Sequence, residues 1–205
     1  MFDVIAQYFA HFGWVEAIDA AGLVLGLVYL WLEFKASIWL WLVSVIMPIV
    51  HGYLYWERGL YADFGMEIYY VLAAVYGYAM WRWSAGRSSK GEKAGERPIT
   101  RFPLRRMLPV AVIGLALWGV IYWVLITWTD SSVPVCDSFT TAMSMVALWA
   151  LAQKYVEQWL LWLAVDAVCT VLYIYKQIPF TASLYGFYTV MAVLGYRKWK
   201  SLALA

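Results

Sequence analysis

Charge is scarce in this sequence. Only 14% of its 205 residues are Asp, Glu, Lys or Arg, while 64% are hydrophobic, far above the roughly 45–50% apolar share of a soluble domain. That shortage excludes a soluble globular protein, which could not hide so much apolar surface. Cysteine is nearly missing: Cys136 and Cys169 are too few for a disulfide framework and form no metal or redox pattern. Histidine occurs twice. There is no metal-binding His pair, no GxSxG elbow and no catalytic carboxylate spacing, and the loops are too short for a soluble catalytic domain. An intramembrane enzyme therefore finds no support, and no cofactor, metal or nucleic-acid partner is expected. The first 34 residues hold no Lys or Arg, so no cleavable signal peptide is expected.

What is abundant is apolar and aromatic sequence. Aromatic residues make up 19% and the mean hydropathy is +0.67, the composition of an integral membrane protein. A transmembrane helix needs about 20 mainly apolar residues. Seven such runs occur, at Ala17–Phe34, Ile38–Trp56, Tyr61–Trp81, Leu108–Thr127, Ser138–Gln153, Val156–Tyr175 and Pro179–Tyr196. The predicted class is an all-α membrane protein. The polar stretch "SAGRSSKGEKAGERPITRFPLRR", residues 84–106, reads as a mobile surface loop.

Basic residues set the orientation. Arg82, Arg87, Lys90, Lys93, Arg97, Arg101, Arg105 and Arg106 lie in or beside that loop, which is expected to be cytoplasmic. Counting crossings from there puts all but Arg58 and Lys176 of the 15 Lys and Arg residues inside. The N-terminus is then outside and the C-terminus cytoplasmic.

The chain also repeats itself. Shifted by 118 positions, Trp31, Trp41, Tyr55, Tyr70, Gly77, Tyr78 and Trp81 meet identical residues in order and without a gap. The first three helices therefore match the last three, and the fourth is a connector, in a 3+1+3 arrangement. The expected divisions are 1–83, 84–106, 107–132 and 133–205. Four crossings separate the copies, so the repeats run parallel, a pattern of carriers whose substrate site lies near the midplane between repeats.

One span poses a chemical question. "VEQWLLWLAVDAVCTVLYIYK" is long and apolar enough to cross a membrane, yet carries Asp166 near its middle. At about 100° per residue, Tyr155, Trp159, Trp162, Asp166, Thr170 and Tyr173 fall in one stripe. A charge at mid-helix costs about 2.5–3.5 kcal/mol on insertion scales, so the carboxylate is expected to face the bundle interior or a water-filled cavity. Indole faces beside a carboxylate suit a flat aromatic cation. Each residue also has a plainer reading: Trp159 in the interfacial belt, Trp162 in bundle packing, Asp166 as a protonated helix–helix hydrogen-bonder. Gln158, at the start of the span, joins the candidate set. In the repeat, Trp41 matches Trp159, Ser44 matches Trp162 and Pro48 matches Asp166. Pro48 is expected to kink its helix at the midplane. His51, Glu67 and Tyr70 are further candidate contacts, and Tyr185 is the repeat partner of Glu67. His51 can equally be a bundle hydrogen-bonder, and Glu67 a solvated residue at the outer interface.

"GLYADFGMEIYYVLAAVYGYAMW", "SIWLWLVSVIMP" and "QKYVEQWLLWLAVDAVCTVLYIYK" together resemble the PnuC family of bacterial vitamin transporters. The resemblance covers nearly the whole chain. It implies a SWEET-like fold, a homotrimer in the bacterial inner membrane, and uptake of nicotinamide riboside by facilitated diffusion. It also implies trapping inside by a cytoplasmic kinase. Relatives carry thiamine or riboflavin instead, and proton coupling through Glu67 or Asp166 is an alternative. Nicotinamide riboside and thiamine are both ring cations, so the Trp–Trp–Asp stripe fits either. A membrane scaffold or receptor is the remaining rival class, but it has no need of a midplane carboxylate among aromatics.

Overall fold

The computed structural model describes residues 14–57, 61–83, 97–175, 177 and 179–203. Among them are seven α-helices: α1 (Trp14–Phe34), α2 (Trp39–Glu57), α3 (Tyr61–Trp83), α4 (Met107–Trp128), α5 (Pro134–Ala152), α6 (Gln158–Tyr175) and α7 (Pro179–Leu202). Among the described residues, three helical stretches are by length and composition able to cross a membrane, Leu104–Trp128, Pro134–Ala152 and Gln158–Tyr175, and shorter apolar stretches occur at Val24–Phe34 and Trp39–Tyr53. The chain divides into two compact units, Met1–Val75 and Tyr76–Ala205, with the boundary inside α3.

Helices α1 and α5 end in the same way. After α1, Ala36 N–H donates to the Glu33 carbonyl and Ser37 N–H to the Leu32 carbonyl, each at 2.9 Å. After α5, Lys154 N–H donates to Leu151 at 2.8 Å and Tyr155 N–H to Ala150 at 3.0 Å. This is a Schellman ending, whose turn residue takes left-handed backbone. Ala36 and Lys154 do so, at φ 54° and 51°. The same 118-residue step carries Glu57 at the end of α2 to Tyr175 at the end of α6, and Tyr61 to Pro179 at the starts of α3 and α7. Buried residues follow suit: Trp41 and Trp159, Ala74 and Ala192, Trp81 and Trp199.

Several helix boundaries differ from the sequence expectation, among them the start of α1 at Trp14 and the end of α7 at Leu202, and two of them bear on the site. Helix α5 begins at Pro134 rather than Ser138 because proline suits the first helical turn. The Cys136 and Asp137 amides both donate to the Val133 carbonyl there. Helix α6 begins at Gln158 rather than Val156, so Tyr155 is not on its stripe. Tyr155 instead forms an isolated bridge with Thr100.

That bridge corrects the reading of residues 84–106 as one mobile loop. Residues 84–96 lie outside the described residues, but the rest is anchored. Thr100 N–H donates to the Lys154 carbonyl and Val156 N–H to the Thr100 carbonyl, both at 3.0 Å. Phe102 N–H donates to Glu157 Oε2 at 2.7 Å, and Arg101 pairs with the same carboxylate at 3.5 Å. The Phe102 ring meets Tyr155 and Trp149 edge-on. Backbone donors and an aromatic ring have found partners across the α5–α6 turn, which a solvated linker would not need.

Within the second unit, α4 packs on α5, α5 on α6 and α6 on α7. Helix α4 buries only Gly114. Its mainly apolar surface is what a helix in contact with lipid presents.

Candidate functional site

The second unit holds Gln158, Trp159, Trp162, Asp166 and Tyr185 of the candidate residues. Gln158 is fully buried, and neither its amide oxygen nor its nitrogen has a hydrogen-bond partner among the described residues. The indole nitrogens of Trp159 and Trp162 are buried and equally without partners. Gln158, Trp162 and Asp166 are spaced at i, i+4 and i+8 and so share one helix face. Asp166 is 7% exposed. Its backbone carbonyl accepts from Thr170 Oγ1 at 2.7 Å, whereas no ion pair of its carboxylate occurs among the described residues. Tyr185 and Tyr188 of α7 lie within electrostatic range of it.

Packing against α7 fixes both ends of this α6 face. Gly195 of α7 lies under Trp159, where an added Cβ would sit 2.6 Å from the indole ring. Trp199 closes the same indole edge-on at 5.8 Å. Trp159 is thereby held inside the protein, not in an interfacial belt. Toward the other end, Tyr173 of α6 stacks on Tyr185 at 5.3 Å with 15° between planes, and Tyr188 meets Tyr185 edge-on. Between these two aromatic contacts the α6 face carries Trp162 and Asp166, both hydrogen-bond-capable and neither consumed by the packing.

The first unit holds the other candidates. Trp41 is buried, and Ser44 Oγ donates to its carbonyl at 2.9 Å. Helix α2 runs continuously through Pro48, which cannot donate to the Ser44 carbonyl one turn back. A cavity of about 310 Å³ is lined by Pro48, Gly52, Phe64 and Glu67, among others. His51 Nδ1 lies 3.8 Å from Glu67 Oε1. Glu67 is thus mostly shielded and engaged within the unit, rather than freely solvated. Tyr70 is exposed and meets Tyr69 edge-on.

Three side chains were not singled out from the sequence. Glu33 is a buried carboxylate inside an apolar run, a signal that its nearness to the end of α1 disguised. Gln153 donates to the Tyr76 hydroxyl at 2.8 Å. Lys154 is buried with its Nζ 4.0 Å from the centre of the Trp81 ring. The last two depend on contacts about 75 residues apart in sequence, which no local pattern carries.

A family model described as nicotinamide mononucleotide transporter matches residues 16–201. The chain belongs to that family, the PnuC family of transporters. Among its curated relatives, the riboflavin/roseoflavin transporter RibM of Streptomyces davaonensis is 27% identical over 88% of this chain and 83% of its own length. The nicotinamide riboside transporter PnuC of Escherichia coli is 24% identical over 91% of this chain and 84% of its own. A crystal structure of the vitamin B3 transporter PnuC superposes with a TM-score of 0.68 at 24% identity, covering 98% of this chain and 87% of the other. The fold is therefore that of PnuC, and the chain is a membrane transporter.

Proposed function

We propose that this PnuC-family transporter takes up nicotinamide riboside across the bacterial cytoplasmic membrane, with Asp166 reading the charge of the pyridinium ring. The observation that carries this reading is the unsatisfied face of α6. A carboxylate on a residue only 7% exposed lies in line with the buried amide of Gln158 and the indole N–H of Trp162, and neither the amide nor the indole is partnered among the described residues. Leaving such groups unpaired costs about 1–3 kcal/mol each, and more for a charge. A cationic ring bearing a hydroxyl-rich sugar answers both needs at once. The ring sits against Trp162 and opposite Asp166, and the sugar hydroxyls meet Gln158 and the indole donor. Thiamine, also a ring cation, fits the charge but offers fewer hydroxyls.

Transport is by facilitated diffusion, with phosphorylation by a cytoplasmic kinase trapping the product, as the family resemblance implies for a homotrimer of this type. The repeated Schellman turns support a 3+1+3 plan of two parallel repeats, with α4 as the connector. The distribution of Lys and Arg supports an outer N-terminus and a cytoplasmic C-terminus.

One observation favours a second reading. RibM, named for riboflavin, is 27% identical to this chain against 24% for the E. coli nicotinamide riboside transporter. A neutral flavin would use the Trp and Tyr faces and Gln158 but would not need the Asp166 charge. Uptake into proteoliposomes of labelled nicotinamide riboside, thiamine and riboflavin separates these readings. Nicotinamide riboside uptake that is indifferent to a pH gradient is expected. Riboflavin uptake alone would replace the first reading with the second, and uptake that follows an imposed pH gradient would establish proton coupling.

A further inference from the structure

An apolar groove of about 580 Å³ runs between α4, α5 and α6, within the second unit and apart from the unsatisfied face of α6. Its lining extends along α4 from Met107 to Trp118, and Glu157 is its single charged residue. Gly114 forms the floor, where an added Cβ would meet Met143 at 3.4 Å. Eleven helical steps rise about 16 Å, close to half of the roughly 30 Å hydrocarbon core. The groove is therefore one leaflet deep. Its outer wall is α4, whose exposed Leu108, Val112 and Leu115 present apolar surface to the surroundings.

The mouth is basic. The 3₁₀ turn Leu104–Arg106 immediately precedes Met107, placing Arg105 and Arg106 at the end of the groove lined by Phe102 and Met107. Arg101 is there too, paired with Glu157 at 3.5 Å. Arg106 Nη1 donates to the Tyr155 hydroxyl at 3.2 Å, which holds the guanidinium in place without an ion pair. Of the three guanidinium groups Arg101 is ion-paired to Glu157, which also accepts from the Phe102 amide, and no ion pair of Arg105 or Arg106 occurs among the described residues. Guanidinium matches phosphate oxygens in bidentate geometry, and basic pockets between membrane helices take anionic headgroups.

We propose that this groove binds an anionic phospholipid, one acyl chain lying between α4 and α5 and the phosphate meeting Arg105 and Arg106. The apolar length, the leaflet depth and the excess positive charge at one end identify the occupant as a lipid, and as an anionic one.

Native mass spectrometry of the purified full-length protein, titrated with phosphatidylglycerol or phosphatidylcholine of equal chain length, tests this. Phosphatidylglycerol is expected to be retained preferentially. Each arginine removed, in Arg105→Gln and then Arg105→Gln/Arg106→Gln, should lower its affinity about fivefold and leave phosphatidylcholine unaffected. Ala111→Phe, which fills the groove from the lipid-facing helix, should abolish retention of both with the arginines intact. The Arg105→Gln change lies on an exposed turn and keeps the test available should the filled groove disturb folding. Equal retention of the two lipids by the wild type would overturn the proposal. So would an Ala111→Phe change that dissociates oligomers while lipid binding persists, because the groove would then be an interface between copies of this chain.

Discussion

Ala36 and Lys154 stand 118 positions apart and hold the same left-handed backbone, at φ 54° and 51°, each closing a helix with the same pair of hydrogen bonds. Neither is glycine, so both positions are strained by about 1–2 kcal/mol. Their side chains part company. Ala36 carries only a methyl group, whereas Lys154 lies buried over Trp81. Ala36→Gly should therefore stabilise the protein by about 0.5–1 kcal/mol. Lys154→Gly should destabilise it, because a desolvated cation–π contact worth about 2 kcal/mol is lost. Thermal melts in detergent compare the two; equal shifts would mean that the Lys154–Trp81 contact contributes nothing.

At Gly195 the α7 backbone lies close under the Trp159 ring of α6. Gly195→Ala should displace that indole and destabilise by about 1–3 kcal/mol through overpacking. Gly119→Ala is the control, since nothing lies within 4 Å of the added Cβ. The pair is read by melting temperature and by tryptophan emission. Similar behaviour of the two variants would contradict the close packing of Trp159.

Glu157 anchors residues 101 and 102. Glu157→Ala should free this segment, with a loss of about 1.5–3 kcal/mol for a charged hydrogen bond, and limited proteolysis should cut between residues 97 and 106 faster than in the wild type. Glu157→Gln keeps an acceptor for the Phe102 amide and loses only an exposed ion pair, worth about 0–1 kcal/mol. It should resist cleavage nearly as well as the wild type.

These anchors show where sequence legibility ended. The seven helices were readable because hydrophobic runs are local signals. The clamp on residues 97–106 was not, because Glu157 is 55 residues from the amide it holds. The stripe was legible from Trp159 to Tyr173 by helical spacing, and Tyr155 was wrongly added because the αL turn at Lys154 delays the start of α6. Spacing could place Trp159 and Trp162 on one face. It could not tell that Gly195 occupies the first ring and leaves the second beside Asp166.

Orientation is open to chemical labelling. With residues 84–106 cytoplasmic, Ser89→Cys in a Cys136→Ser/Cys169→Ser background should resist a membrane-impermeant thiol reagent in intact cells and react after permeabilisation. Labelling without permeabilisation would reverse the topology.

The most direct measurement is calorimetric binding of nicotinamide riboside and riboflavin to the wild type and to Asp166→Asn, with a thermal melt to verify folding. Asparagine keeps the shape and a donor but not the charge. An opposite charge about 4 Å away is worth up to about 4 kcal/mol at an effective dielectric of 20. A charge-reading site predicts that the wild type binds nicotinamide riboside and that folded Asp166→Asn binds it at least about tenfold more weakly. Unchanged affinity in the folded variant, or wild-type binding of riboflavin alone, would contradict it and leave Asp166 a packing residue.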